Sequence, residues 1–351
     1  MNGLHEIKRL LRYSAIRMGL EAISLLRLDK LLPSAAHNGL IFTLHHVRPD
    51  MSPQKFEPNA ILAITPEFLE EAIQQVLKAG MLPVHVHELP ELLRNNPENK
   101  RYVCFTLDDG YRNNADYASP IFRRYNIPYT IYITSGFAER SHILWWEVVE
   151  QLLRQQESLI FDFGAGEINL PLYTRLQKQT AFARFAQYVD VQPEDEAVHQ
   201  IAKLALSYGL DPLRITRELT MDVAALQALQ KRDGALVHFG AHSVSHINLS
   251  RADDQRIRQE IEVSADWLKN SLAEAPLSFA YPYGWKTAVS KNTFSQAHDS
   301  GFAVAVTTQP AMLKSGVLEN LQSLPRVSLN GYYQKKRYIR ALISGIPFIN
   351  T

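Results

Sequence analysis

The 351-residue chain has a single cysteine, Cys104, so no intrachain disulfide can form and thiolates offer no metal framework. That scarcity fits a reducing compartment without requiring one. Neither sign of charge is in excess: 37 basic and 36 acidic side chains leave a net +1, which provides no global field for nucleic acid or an acidic partner. No repeat or low-complexity tract stands out, and no apolar run approaches the ~20 residues of a membrane span. Near the start, Lys8, Arg9, Arg12, Arg17 and Glu21 break every stretch that could form the apolar part of a secretory signal. The sequence is therefore read as cytoplasmic.

What is present is a 46% hydrophobic, 10% aromatic composition, enough for the core of one large domain or two small ones. Residues 4–28 read as an amphipathic helix, with Leu4, Ile7, Leu11, Ile16, Leu20 and Ile23 roughly on one face. Within residues 1–36, six basic side chains (Lys8, Arg9, Arg12, Arg17, Arg27, Lys30) outnumber the acidic Glu6, Glu21 and Asp29 by three. Such a helix either packs on the domain or a neighbouring subunit, or lies on an anionic membrane surface. The second option would place the protein peripherally at the inner membrane face.

From residue 39 short apolar runs alternate with helical patterns, which predicts an α/β fold with mainly parallel strands. Strands are expected at 39–44, 82–86, 102–107, 129–133, 236–239, 278–281 and 302–306. Thr65 and Pro66 suit the start of a helix whose apolar face is Phe68, Leu69, Ala72, Ile73, Val76 and Leu77. A second helix is expected around Asn114–Tyr125. A third begins near Ser250–Asp253, with Ile257, Ile261, Ala265, Leu268 and Leu272 at helical spacing. The rhythm changes over 138–232, read as a mostly helical insertion. The expected division is a helical segment 1–37, one domain over 38–335 and a C-terminal tail 336–351.

Three strand ends carry unusual polar residues, and active sites of such folds lie where strands give way to loops. The first is Thr106-Leu107-Asp108-Asp109-Gly110. Asp-Gly is a common turn pair, so a solvated turn is one reading. In the other, one carboxylate binds a divalent metal and leaves the second free to take a proton. The second end is His242-Ser243-Val244-Ser245-His246, two imidazoles four apart. With Asp109 they would form a two-histidine, one-carboxylate site open to water and substrate, a donor set suited to zinc and related metals. The third is Tyr281-Pro282-Tyr283-Gly284-Trp285, a stiffened aromatic turn that serves either packing or a sugar-binding wall. Trp145-Trp146-Glu147 divides the same way between sugar stacking and core packing.

Together and in this order, the segments resemble the polysaccharide deacetylase family, the NodB-homology domain of carbohydrate esterase family 4. The resemblance covers roughly 39–330. It implies a distorted (β/α) barrel and N-deacetylation of N-acetylhexosamine units in a glycan or glycan precursor. It also implies Asp108 as base, Asp109, His242 and His246 as ligands of a divalent metal, zinc foremost, and the Tyr283 backbone N–H as oxyanion donor. Two departures stand out. Where the family carries an arginine that orients the base, this chain has Ala280, and Arg326 is the candidate replacement. No histidine follows His298, where the family's acid is expected late in the chain. Thr43-Leu44-His45-His46-Val47 looks like the Tyr-His-x-Val segment of the biofilm poly-N-acetylglucosamine deacetylase branch, which implies His45 as acid. The residues themselves leave open a hydrolase of another amide, formyl or small cyclic, and a non-catalytic glycan-binding protein on the same fold.

Overall fold

Six-residue runs such as Gly39–Leu44 and Tyr102–Leu107 are apolar at nearly every position, and both are buried along their whole length, as strands covered on two faces must be. The computed structural model, which describes residues 2–27, 37–49 and 56–349, assembles such runs into one eight-stranded sheet. Its strands are β1 (Gly39–Leu44), β2 (Leu82–Pro83), β3 (Tyr102–Leu107), β4 (Tyr129–Ile133), β5 (Val237–Ala241), β6 (Ser278–Ala280), β7 (Val304–Val306) and β8 (Val327–Ser328). The order is β7-β6-β5-β4-β3-β1-β8, with β2 also paired to β3, and the pairings are parallel.

The ladder is open, but its two edges meet. Leu324, just before β8, accepts from Thr307 N at 2.9 Å and donates to Ala305 O at 2.9 Å beyond the opposite edge. The result is the distorted, incompletely closed (β/α) barrel that the family resemblance implies.

The surrounding helices include α1 (Asn2–Leu25), α2 (Pro66–Lys78), α3 (Trp145–Gln155), α4 (Arg175–Val191), α5 (Glu194–Ser207), α6 (Asp254–Leu272) and α7 (Lys336–Ile343). Helix α2 starts as expected, with Thr65 Oγ1 accepting from Phe68 N at 3.2 Å. Its Leu77, assigned to the apolar face, is instead 40% exposed. Asp253 rather than Ser250 caps α6, accepting from Arg256 N, while Ile257, Ile261, Ala265, Leu268 and Leu272 are buried as expected. The segment 114–125 opens with a π-helical turn, Asn114–Ala118, before the regular helix Ser119–Tyr125. The strand expected at 82–86 stops at Pro83, because the Glu88 carboxylate takes the His85 amide at 2.7 Å and turns the chain.

A second apolar core, with Leu144, Val149, Leu152, Phe161, Phe185 and Ile201, holds α3, α4 and α5 together. The same stretch contains an antiparallel hairpin, Ser158–Asp162 with Glu167–Pro171, which the helical reading did not include. Asp162 makes its turn by accepting from Gly164 N at 2.7 Å and Gly166 N at 2.9 Å, both glycines having positive φ.

For α1, the side chains of 2–12, and with them Leu4, Ile7, Leu11, Lys8, Arg9 and Arg12, lie outside the described residues, as does Lys30. Leu20 and Ile23 are buried with Tyr333, Tyr338 and Ala341, so the helix packs on α7. Ile16, expected on that face, is 40% exposed. Among the described residues no helix is long and apolar enough to cross a membrane.

Candidate metal centre

Asp108 and Asp109 follow β3 directly. Asp109 and Gly110 both take left-handed backbone conformations, φ 70° and 68°, which turn the chain sharply and send the two adjacent carboxylates to different partners. After β5 the chain makes a comparable turn, with Ser243 at φ 63° and His246 at φ 60°. Ser243 Oγ accepts from His246 N at 3.0 Å. Glu260 on α6 then pins the loop, accepting from Val244 N at 2.8 Å, Ser245 N at 2.9 Å and Ser245 Oγ at 2.6 Å.

His242 Nδ1 lies 2.7 Å from Ala280 O. A carbonyl only accepts, so Nδ1 carries the proton and the Nε2 lone pair is free. That Nε2 is 3.6 Å from Asp109 Oδ1, and His246 Nε2 is 3.4 Å from the same oxygen. The candidate ligand atoms of the three residues lie within 4.8 Å of one another, and all three residues are buried. Asp109 Oδ1 has no hydrogen-bond partner. Two ligand bonds of about 2.1 Å meeting near the tetrahedral angle put their donors about 3.4 Å apart, so the set fits a divalent metal. Burial, then the charges of Asp108 and Glu147, push the Asp109 carboxyl well up, which is the unfavourable state a bound cation would relieve. Burial pulls both imidazoles down, into the neutral form that ligates.

Asp108 faces Arg326. Arg326 Nη1 donates to Asp108 Oδ1 and Nη2 to Asp108 Oδ2, each at 2.7 Å. The guanidinium is itself 1% exposed and is fixed by Thr307 O at 2.8 Å and Thr106 Oγ1 at 3.1 Å. Burial alone would raise the Asp108 carboxyl, but the Arg326 charge and hydrogen bonds, helped by His242 and His45, hold it well below the usual carboxylate range.

His45 Nε2 is 3.9 Å from Asp108 Oδ2, and its side chain is 20% exposed. Burial leads in pulling this imidazole down to about 4, with Arg326, His242 and His46 pushing the same way. Its neighbour His46 is turned away, its ring 3.6 Å from that of Tyr111 and its nitrogens at Asn113 (2.8 Å) and Glu147 (3.3 Å).

Tyr283 has φ 61°, and its amide has no hydrogen-bond acceptor among the described residues. Its hydroxyl donates to Glu194 Oε1 at 2.6 Å and accepts from Trp145 Nε1 at 3.0 Å, tying the turn after β6 to α3 and α5. Trp146 Nε1 donates to Tyr111 Oη at 2.9 Å. Both tryptophans are largely buried, yet both line the site, so the packing and substrate-facing readings coexist.

His45, Asp108, Asp109, His242, His246 and Tyr283 line one cavity of about 770 Å³, and Phe182, Arg184 and Gln187 of α4 also line it. Arg326 reaches it through Asp108. Every candidate residue read from the sequence is thus brought to one place. Sequence reasoning missed Glu260, Tyr111 and Glu194. Of these only Glu260 left a signal, a carboxylate set within the apolar stripe Ile257, Ile261, Ala265.

Comparison with known proteins fits this geometry. The polysaccharide deacetylase family matches residues 95–187 and 215–305, a little over half of the chain. The chain belongs to the polysaccharide deacetylase family. Among solved structures of similar fold, the Streptococcus pyogenes deacetylase PplD, in complex with acetate, is 17% identical with a TM-score of 0.56, covering 87% of this chain and 97% of its own. IcaB from Ammonifex degensii is 14% identical (TM-score 0.52), again over 87% and 97% of the two chains. A de-N-acetylase from Aggregatibacter actinomycetemcomitans is 13% identical (TM-score 0.54), over 87% and 99%. No curated protein matches the sequence. Membership in the polysaccharide deacetylase family and the clustered Asp109, His242 and His246 agree with a metal-dependent hydrolase of the deacetylase type.

Proposed function

We propose that this polysaccharide deacetylase family member removes acetyl groups from N-acetylated sugars of a polysaccharide or glycan precursor. Asp109, His242 and His246 would hold the metal, with Zn2+ the preferred ion for an N,N,O donor set. The observation that carries the reading is an ionised carboxylate, Asp108, gripped by Arg326 beside that donor set in one cavity. A pure binding protein has no use for such a base.

A divalent ion in the site supplies Lewis acidity toward the acetyl carbonyl and makes water more acidic. The chain's own residues do the rest. Asp108 accepts the proton of the attacking water, with Arg326 fixing the direction of its oxygens. The Tyr283 backbone N–H donates to the carbonyl oxygen as negative charge develops there. His45, neutral at rest, receives the proton from Asp108 and delivers it to the departing amine. This use of an early histidine aligns the chain with the Tyr-His-x-Val branch. We take 1–37 as a helical segment, 38–335 as the catalytic domain with 138–232 inserted to build the cleft wall, and 336–351 as a tail. The substrate is then a precursor met in the cytoplasm, at the inner membrane face.

The test is acetate release from N-acetylglucosamine oligomers by zinc-loaded protein, with and without a chelator. The expected result is release that stops on chelation, returns with zinc and is absent in Asp108→Asn. Hydrolysis of a formyl amide without any acetate release would overturn the substrate assignment.

A further inference from the structure

Among the described side chains of α1, residues 13–25, apolar groups lie on two sides, one buried and the other open to solvent. Leu20 and Ile23 are buried against Tyr333, Tyr338 and Ala341. Met18 and Leu25 are 72% and 76% exposed, and Leu26, just past the helix end, is 62% exposed. At 3.6 residues per turn, positions 18, 22 and 25 form a line on the side opposite 20 and 23. Ala22, between them, is also exposed. Met18 and Leu25 in line, with Leu26 beside them, form an apolar patch open to solvent, which marks a contact surface.

Charge identifies the partner. The one acid among the described side chains of α1, Glu21, is turned to the domain, where Arg337 donates to it at 2.6 and 2.7 Å and Lys335 at 2.9 Å. Arg17 and Arg27 are exposed, as are Lys336 and Arg340 on the neighbouring α7. Residues 1–36 carry three more basic than acidic side chains, whereas the whole chain has a net charge of only +1. Basic residues flanking an apolar stripe suit anionic lipid headgroups above acyl chains. A second copy of this helix would instead oppose like charges.

We propose that α1 docks the protein on an anionic membrane surface through Met18, Leu25 and Leu26, with Arg17 and Arg27 on the headgroups. Helix α1 also touches α4, which lines the cavity, so docking brings the cleft to the lipid. The substrate class is accordingly an N-acetylated glycan carried on a lipid, an assignment that rests on the deacetylase reading, whereas the docking itself does not.

The experiment is co-sedimentation of the full chain with phosphatidylcholine vesicles, with and without about 30 mol % phosphatidylglycerol. Wild type is expected to pellet with the anionic vesicles, and Met18→Glu/Leu25→Glu to lose about tenfold in affinity while its melting temperature, metal content and activity on soluble oligomers stay unchanged. Equal pelleting of variant and wild type, or no pelleting of wild type, overturns the proposal. So does a wild-type dimer in light scattering that the double variant abolishes, which assigns the face to a second copy. Loss of docking with intact acetate release separates this proposal from the deacetylase reading, and docking without acetate release separates them the other way.

Discussion

Arg326 and Asp108, 218 positions apart, form two parallel hydrogen bonds of 2.7 Å inside the barrel. The pair sets both the direction of the proposed base and its affinity for a proton. Replacing Arg326 by Met leaves a buried, unpaired carboxylate and is expected to lower stability by about 3–5 kcal/mol. Asp108 lies below its unfolded value, so it stabilises the fold above the ordinary carboxylate range, and that contribution fades as pH falls. In Arg326→Met the carboxyl rises. The acid limb of the activity profile then moves to higher pH, and kcat drops about a hundredfold with metal still bound. A melt combined with a pH–rate profile checks both; an unmoved acid limb would show that Arg326 does not tune the base.

His45, pulled down to about 4, is unprotonated through the neutral range. Wild-type kcat/KM should therefore show no decline from about pH 7 to about pH 9 that traces to a lost imidazolium. His45→Gln should lower kcat by roughly 10²-fold or more while metal content stays constant. An alkaline limb near neutrality that disappears in His45→Gln would mean that this histidine starts the cycle charged, and the relay role would fall.

Far from the metal site, His87 and His238 lie with their rings 4.3 Å apart, pulled down to about 4 and about 3, burial leading and neighbouring imidazoles adding. Burial likewise holds His37 at about 4. Unfolded histidines take up protons near pH 6.5, whereas these folded ones resist until lower pH, so protons favour the unfolded chain in between. The melting temperature is expected to fall as pH drops from about 6.5 to about 4, and His87→Gln/His238→Gln should flatten that slope. A double variant with the wild-type slope would contradict this.

Glu260 holds the loop between His242 and His246 by three hydrogen bonds of 2.6 to 2.9 Å. Glu260→Gln removes the charge that strengthens them. Zinc affinity, measured by competition with a chromophoric chelator, should weaken about 10–100-fold, with a smaller change in kcat at saturating zinc. Unchanged affinity would show that the strained loop holds its shape unaided.

Strands such as 102–107 and 129–133 were legible because a buried parallel strand is an unbroken apolar run, and the clustering of Asp109, His242 and His246 was legible because they sit where such runs end. Arg326 was found through an absence at Ala280. Glu260 was overlooked: its carboxylate within the buried stripe of α6 was a faint signal, but its task, binding the amides and hydroxyl of a distant loop, is not written in the sequence. The Ser158–Pro171 hairpin escaped because its strands are half exposed and its turn depends on Asp162 and two glycines. The facing of α1 was read too simply: one stripe was assigned where the helix has two, and only packing against Tyr338 shows which side is covered.

The bridge at Leu324 couples the meeting of the sheet edges to the placing of Arg326, two residues on, opposite Asp108. A chain made only as far as Tyr283 carries both aspartates and both candidate ligand histidines, but not Arg326. If Asp108 were buried without that guanidinium, burial would favour the protonated acid, which cannot accept a proton. In the proposed mechanism the base is therefore complete only once the sheet edges join at Leu324 and Arg326 stands opposite Asp108.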